Sequence, residues 1–154
     1  MINTSNQRLL LWCIAIIAVV SIGQLPPISQ AQSYHMFADT HVFLGIPNAL
    51  NVISNFPFFV IGLYGITIVL QRKVFLGSAY WGALTFSIGV VLVTLGSGYY
   101  HLFLNSFTLA WDRLPISISI MGLYAAILSA FIEERSGLTA LPWLIIAGIL
   151  SVVY

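Results

Sequence analysis

The stretch LGSAYWGALTFSIGVVLVTLGSGYYHLF, residues 76–103, decides the fold. It is almost wholly apolar, and at 1.5 Å per residue it is long enough to cross about 30 Å of hydrocarbon as a helix. Glycines at 82, 89 and 96 recur every seven residues, which lines them up in a stripe where a second helix backbone can approach closely. Ser97 and His101, four apart, lie one turn above the other on one side of that helix. Polar and ionisable groups are costly in such a span and face a bundle interior or a water-filled cavity. Eleven residues after His101 comes Asp112, in Trp111-Asp112-Arg113-Leu114-Pro115. Ser97, His101 and Asp112 are therefore the candidate reactive groups.

Composition supports the same class. Of 154 residues, 60% are hydrophobic and 6% are charged, and the mean hydropathy is +1.02. That describes an all-α integral membrane protein, a polytopic bundle of transmembrane helices. A net charge of +1 speaks against nucleic acid as a partner, and the single cysteine, Cys13, rules out an internal disulfide.

Outward from the central stretch, the chain divides into a first segment, 1–31, and a membrane domain, 32–154. Arg8 is followed by the apolar run Leu9–Leu25 and by Pro26-Pro27. A cleaved signal peptide with its small-residue site near Ser29-Gln30-Ala31 and a retained helix ended by prolines both fit; the retained helix is favoured. Gln32–Pro47 is irregular and reads as an interfacial loop or short helix. Ala49–Leu70 is the next span, with Asn51, Ser54 and Asn55 in its first turns, Pro57 in its interior, and Arg72 and Lys73 closing it. After residues 76–103 and a turn at Leu104–Ala110, Leu114–Ile132 spans again. Pro115 falls in its first turn, and Asp112 is placed to cap it. Glu133, Glu134 and Arg135 end that span and Gly137 breaks it. Ala140–Tyr154 then begins a helix that, at fifteen residues, is short for a crossing. Arg8, Arg72, Lys73 and Arg135 fall on one side and only Arg113 on the other. This bias puts the N-terminus in the cytoplasm and Asp39, Ser97, His101 and Asp112 towards the outer face.

These residue types suit hydrolysis in a membrane. A zinc ion with three protein ligands and an open position lowers the pKa of its bound water to about 7. His101 suits a ligand, Asp112 suits a partner of that water, and Ser97 suits a donor to an oxyanion. The competing reading is a buried Ser–His–Asp hydrogen-bond network without catalysis. A haem site would need a second intramembrane histidine, and His35 and His41 lie outside the spans.

Gly96-Ser97-x-x-Tyr100-His101, with Asp112-x-Leu114-Pro115 eleven residues on and Asn51-x-x-Ser54-Asn55 upstream, resembles the alkaline ceramidase family of seven-helix membrane hydrolases. The likeness covers roughly Asp39 to Glu134. It implies His101 as a zinc ligand, Ser97 and Asp112 as catalytic neighbours of the zinc, and hydrolysis of the amide of a ceramide-like membrane lipid. It further implies a calcium site near the start of the first core helix, where Asp39 matches one acidic position and Asn48 stands in place of a glutamate. The family draws two more zinc histidines from a later helix in an H-x3-H pair, and no histidine follows His101 here. The expectation is thus a truncated part of the seven-helix core with an extra N-terminal helix. The alternative is a receptor-like or inactive bundle that keeps the Ser/His/Asp set for structure.

Overall fold

A computed structural model describes residues 4–26 and 30–153, which form two compact units, Met1–Gln30 and Ala31–Tyr154. The first contains helix α1 (Thr4–Gly23), apolar around its circumference from Leu9 onwards, as a helix surrounded by lipid requires. Pro27 and Ser29, on which the cleavage reading turns, lie outside the described residues.

The second unit runs through a 3-10 helix (Gln32–His35), α2 (Ala49–Ile53), α3 (Phe56–Gln71), α4 (Lys73–Leu76), α5 (Ala79–Leu102), α6 (Ser106–Phe131) and α7 (Glu134–Val153). No strand occurs among the described residues, only an isolated bridge between Phe43 and Ile46. Among the described residues, five helical stretches are long and apolar enough to cross a membrane: α1, α2 with α3, α5, α6 and α7. Such helices satisfy their backbone polar groups internally, which hydrocarbon demands.

The span from Ala49 is broken, contrary to the continuous helix expected. Pro57 lacks an N–H and its ring crowds the carbonyl four residues back, that of Ile53, and α2 ends at Ile53. The chain turns through Ser54 and Asn55, and Pro57 occupies the first turn of α3, where a missing donor costs little.

The glycine stripe of α5 packs against α6. A Cβ on Gly82 would stand 2.5 Å from the Ala126 nitrogen, one on Gly89 would stand 2.7 Å from Ser119 Cβ, and one on Gly96 would overlap the Trp111 carbonyl oxygen. Gly122 of α6 answers with the same closeness to Phe86. The two helices therefore run antiparallel with their backbones nearly touching, which gains dispersion contacts where no hydrophobic driving force acts between helices. Gly62 admits α5 to α3, and Gly137 admits α6 to α7.

Two boundaries differ from expectation. Helix α6 starts at Ser106, not Leu114, because Asn105 and Thr108 form a capping box. Asn105 Oδ1 accepts from the Thr108 N–H at 2.9 Å, and Thr108 Oγ1 accepts from the Asn105 N–H at 3.3 Å. Asp112 consequently sits within α6 and does not cap it, and Pro115 lies inside the helix. Helix α7 starts at Glu134 and runs through Gly137, which is buried against Ala125 and Ser129. Its missing side chain provides close packing, not a break, and the helix reaches 20 residues.

The antiparallel order gathers His35, Asp39, Asn48, Ser97, His101 and Asp112 at one end of the second unit. Arg72, Lys73, Glu134 and Arg135 are at the other, where a Cβ on Gly77 would meet Glu134 Oε1 at 3.5 Å.

Candidate active site

Ser97 and Asp112 line one cleft of about 380 Å³, together with Asn55, Phe58, Val90, Val93, Ile116, Ser119 and Ile120. Its walls come from α3, α5 and α6. The polar groups Asn55, Ser97 and Asp112 stand towards one end, and the aliphatic and phenyl side chains extend away from them. The cleft exists because Pro57 ends α2 early and offers the first turns of α3 to α5, with Thr94 Oγ1 donating to the Asn55 carbonyl at 3.2 Å. Asn55 is itself buried and donates through Nδ2 to the Asn51 carbonyl at 2.8 Å. Ser119 is turned aside, its hydroxyl donating to the Phe86 carbonyl at 3.1 Å.

Asp112 carries the least settled atom of the cleft. Its Oδ1 is buried without a hydrogen-bond partner, and an unpaired carboxylate oxygen is expensive in such surroundings. His101, in the last turn of α5, does not line the cleft. Its Nδ1 is also buried without a partner, and its ring receives Phe37 edge-on with centroids 5.0 Å apart.

Asp39 and Asn48 hold the entry to this end. Asp39 Oδ2 accepts the N–H groups of Leu50 at 3.0 Å and Asn51 at 3.1 Å, acting as the N-terminal cap of α2 from ten residues away along the chain. Its Oδ1 accepts from the His41 backbone N–H at 3.1 Å and from His41 Nδ1 at 3.0 Å. Asn48, in the left-handed region at φ 49°, donates from Nδ2 to the His101 carbonyl at 2.8 Å. Burial, the largest single influence on Asp39, pushes its carboxyl up, but these N–H donors together outweigh it and hold the group below its ordinary value. A carboxyl lowered in the folded state contributes stability above its unfolded pKa and loses it as pH falls through the folded one. Asp39→Asn is therefore expected to lower the thermal midpoint at about pH 7, and the gap to the parent protein should close as pH drops towards roughly 3. A gap of constant size across that range would contradict the cap.

A catalytic zinc takes three protein ligands, and among the described residues no three His, Cys, Asp or Glu side chains gather to hold an ion. His35 gives its ring nitrogens to Tyr100 and Ser106, and His41 turns to Asp39. His101 Nδ1 and Asp112 Oδ1 would suit one ligand and one water-holding group, and the described residues do not complete a zinc site between them. Calcium takes about six to eight oxygens, whereas here the Asp39 oxygens serve N–H groups and Asn48 presents nitrogen.

The sequence sets Tyr100 beside His101 in the motif and leaves His35 in the irregular segment, with no sign that the two meet. Tyr100 is the most deeply buried of the large side chains, and His35 is also buried. Their partnership spans 65 residues, and the only local signal was a tyrosine beside His101 in the last turn of a membrane helix. A second, larger cleft of about 500 Å³, lined by Leu95, Gly96, Tyr99, Phe107 and Trp111, has no carboxylate or histidine and is set apart from this chemistry.

No family model matches the chain, and neither the characterised proteins nor the solved structures compared with it give a match.

Proposed function

We propose that this protein is, or forms part of, a membrane amidohydrolase of the alkaline ceramidase type, acting on the amide of a ceramide-like lipid. The observation that carries the reading is Asp112 Oδ1, buried and unpartnered, on a residue that lines a largely apolar cleft with Ser97. A lipid amide suits that shape: the acyl chain lies along Phe58, Val93, Ile116 and Ile120, and the amide reaches Ser97 and Asp112. In the reaction, Asp112 takes a proton from water as the oxygen attacks the carbonyl carbon. Ser97 donates a hydrogen bond to the oxygen that becomes negative. The C–N bond then breaks, Asp112 returns the proton to the leaving amine, and a fatty acid and a sphingoid base result. Zinc, when bound, would supply a more acidic water; His101 is the one ligand these residues offer for it, and the remaining ligands and helices of a seven-helix core would lie outside those described. The basic residues Arg72, Lys73 and Arg135 at the opposite end favour a reactive end on the non-cytoplasmic side.

The test is release of fatty acid and free amine from an N-acyl sphingoid base in detergent micelles by protein purified from its native gene. Turnover is expected with the amide and not with an N-alkyl analogue; no turnover across acyl lengths would overturn the reading. The second reading is a receptor-like or inactive bundle. It is favoured by one observation, the incomplete ligand set around His101, and it expects neither amide cleavage nor metal in the purified protein.

A further inference from the structure

His35 is 8% exposed, and both of its ring nitrogens are in use. Nδ1 shares a hydrogen bond with the Tyr100 hydroxyl at 2.8 Å, and Nε2 shares one with the Ser106 hydroxyl at 3.3 Å. A neutral ring with its proton on Nε2 satisfies both. One side chain thereby ties the end of α5 to the start of α6. Two residues further on, Phe37 sets its ring edge-on to Tyr100 at 5.9 Å and to His101 at 5.0 Å between centroids. At the far end of the same segment, Asn48 donates to the His101 carbonyl, and Asp39 fastens the segment to α2. Residues 31–48 thus form a strap that holds His101 by its ring and by its backbone.

The strap needs His35 in particular. Gln32, Ser33 and Tyr34 share its 3-10 helix but are exposed, so the buried attachment of that turn rests on the His35 ring. Edge-on aromatic contacts are directional, and a displaced Phe37 would leave the His101 ring free to turn. Given the reading above, in which His101 belongs to the reactive end, we infer that His35 is a positioning residue. It seats the strap and, through Phe37, fixes the plane of the His101 ring without touching substrate.

The chain has three histidines, so ring carbon–proton NMR signals from histidine-labelled protein in micelles can be assigned by substitution. His35→Ala is expected to shift or broaden the His101 signal with helix content unchanged. His35→Gln, whose amide retains an acceptor for Tyr100 and a donor for Ser106, is expected to restore it. An unmoved His101 signal in the Ala variant overturns the proposal, and it does so whether or not the protein hydrolyses lipid. If that variant loses its helices, Phe37→Leu replaces it, and an unmoved His101 signal there is equally decisive. Where amide turnover is present, His35→Ala should lower kcat at least tenfold with KM within twofold, and His35→Gln should recover most of it. Equal losses in both variants would show that hydrogen bonding by His35 is not what positions the ring.

Discussion

Asp112→Asn is expected to abolish amide hydrolysis, lowering kcat by about 10²- to 10⁴-fold, the range set by a positioned general base. Its effect on stability should have the opposite sign. Asn is the same size, fits the same place on α6, and removes a carboxylate whose Oδ1 is buried without a partner, an arrangement that costs folding energy. The thermal midpoint in detergent should therefore be unchanged or higher while turnover disappears. A residue retained only for structure would show the reverse, a lower midpoint with no catalytic consequence. Undiminished turnover in the Asn variant would remove Asp112 from the mechanism.

The second large effect concerns two glycines, two residues apart. A Cβ on Gly96 would collide with the Trp111 carbonyl and stand 3.0 Å from Pro115 Cγ, whereas one on Gly98 would meet nothing within 4 Å. The Trp111 carbonyl has nowhere easy to go, because Pro115, four residues on, has no N–H to offer it. Gly96→Ala should cost about 1–3 kcal/mol, the range for overpacking at a tight contact. Gly98→Ala should gain roughly 0.5–1 kcal/mol, because alanine restricts the unfolded chain at a helical position. Paired denaturation midpoints in one detergent would measure both. Equal responses would refute the close packing of α5 on α6 at this level.

What could be read without coordinates was what period and composition control. The seven-residue spacing of Gly82, Gly89 and Gly96 foretold the stripe that α6 packs against, and the position of Ser97 and His101 at the close of the apolar run put both near one end of α5. Signals with two meanings were misread. Pro115 prefers a first turn in water, but a membrane bundle tolerates proline inside a helix when neighbours accommodate the freed carbonyl. Here Gly96 leaves the room, and the true start was the capping box at Asn105 and Thr108. Gly137 looked like a terminator, yet it is a contact point whose partner, Ala125, is on another helix. Pro57, placed inside a single span, instead opens a second helix. The pairing of His35 with Tyr100 was out of reach, since no local pattern encodes a contact 65 residues long.

The neighbour-to-neighbour packing of α3 on α5, α5 on α6 and α6 on α7 also dictates an order of assembly. Each long helix of this unit packs on its neighbours in chain order, so the hairpins can close one after another as the chain is made, with little entropy spent on long loops. Residues 31–48 are the exception. They are synthesised before Tyr100 and Ser106 exist, and must wait at the membrane surface until the α5–α6 turn is complete. The end of the protein that carries Ser97, His101 and Asp112 therefore cannot become rigid until the α5–α6 turn has formed.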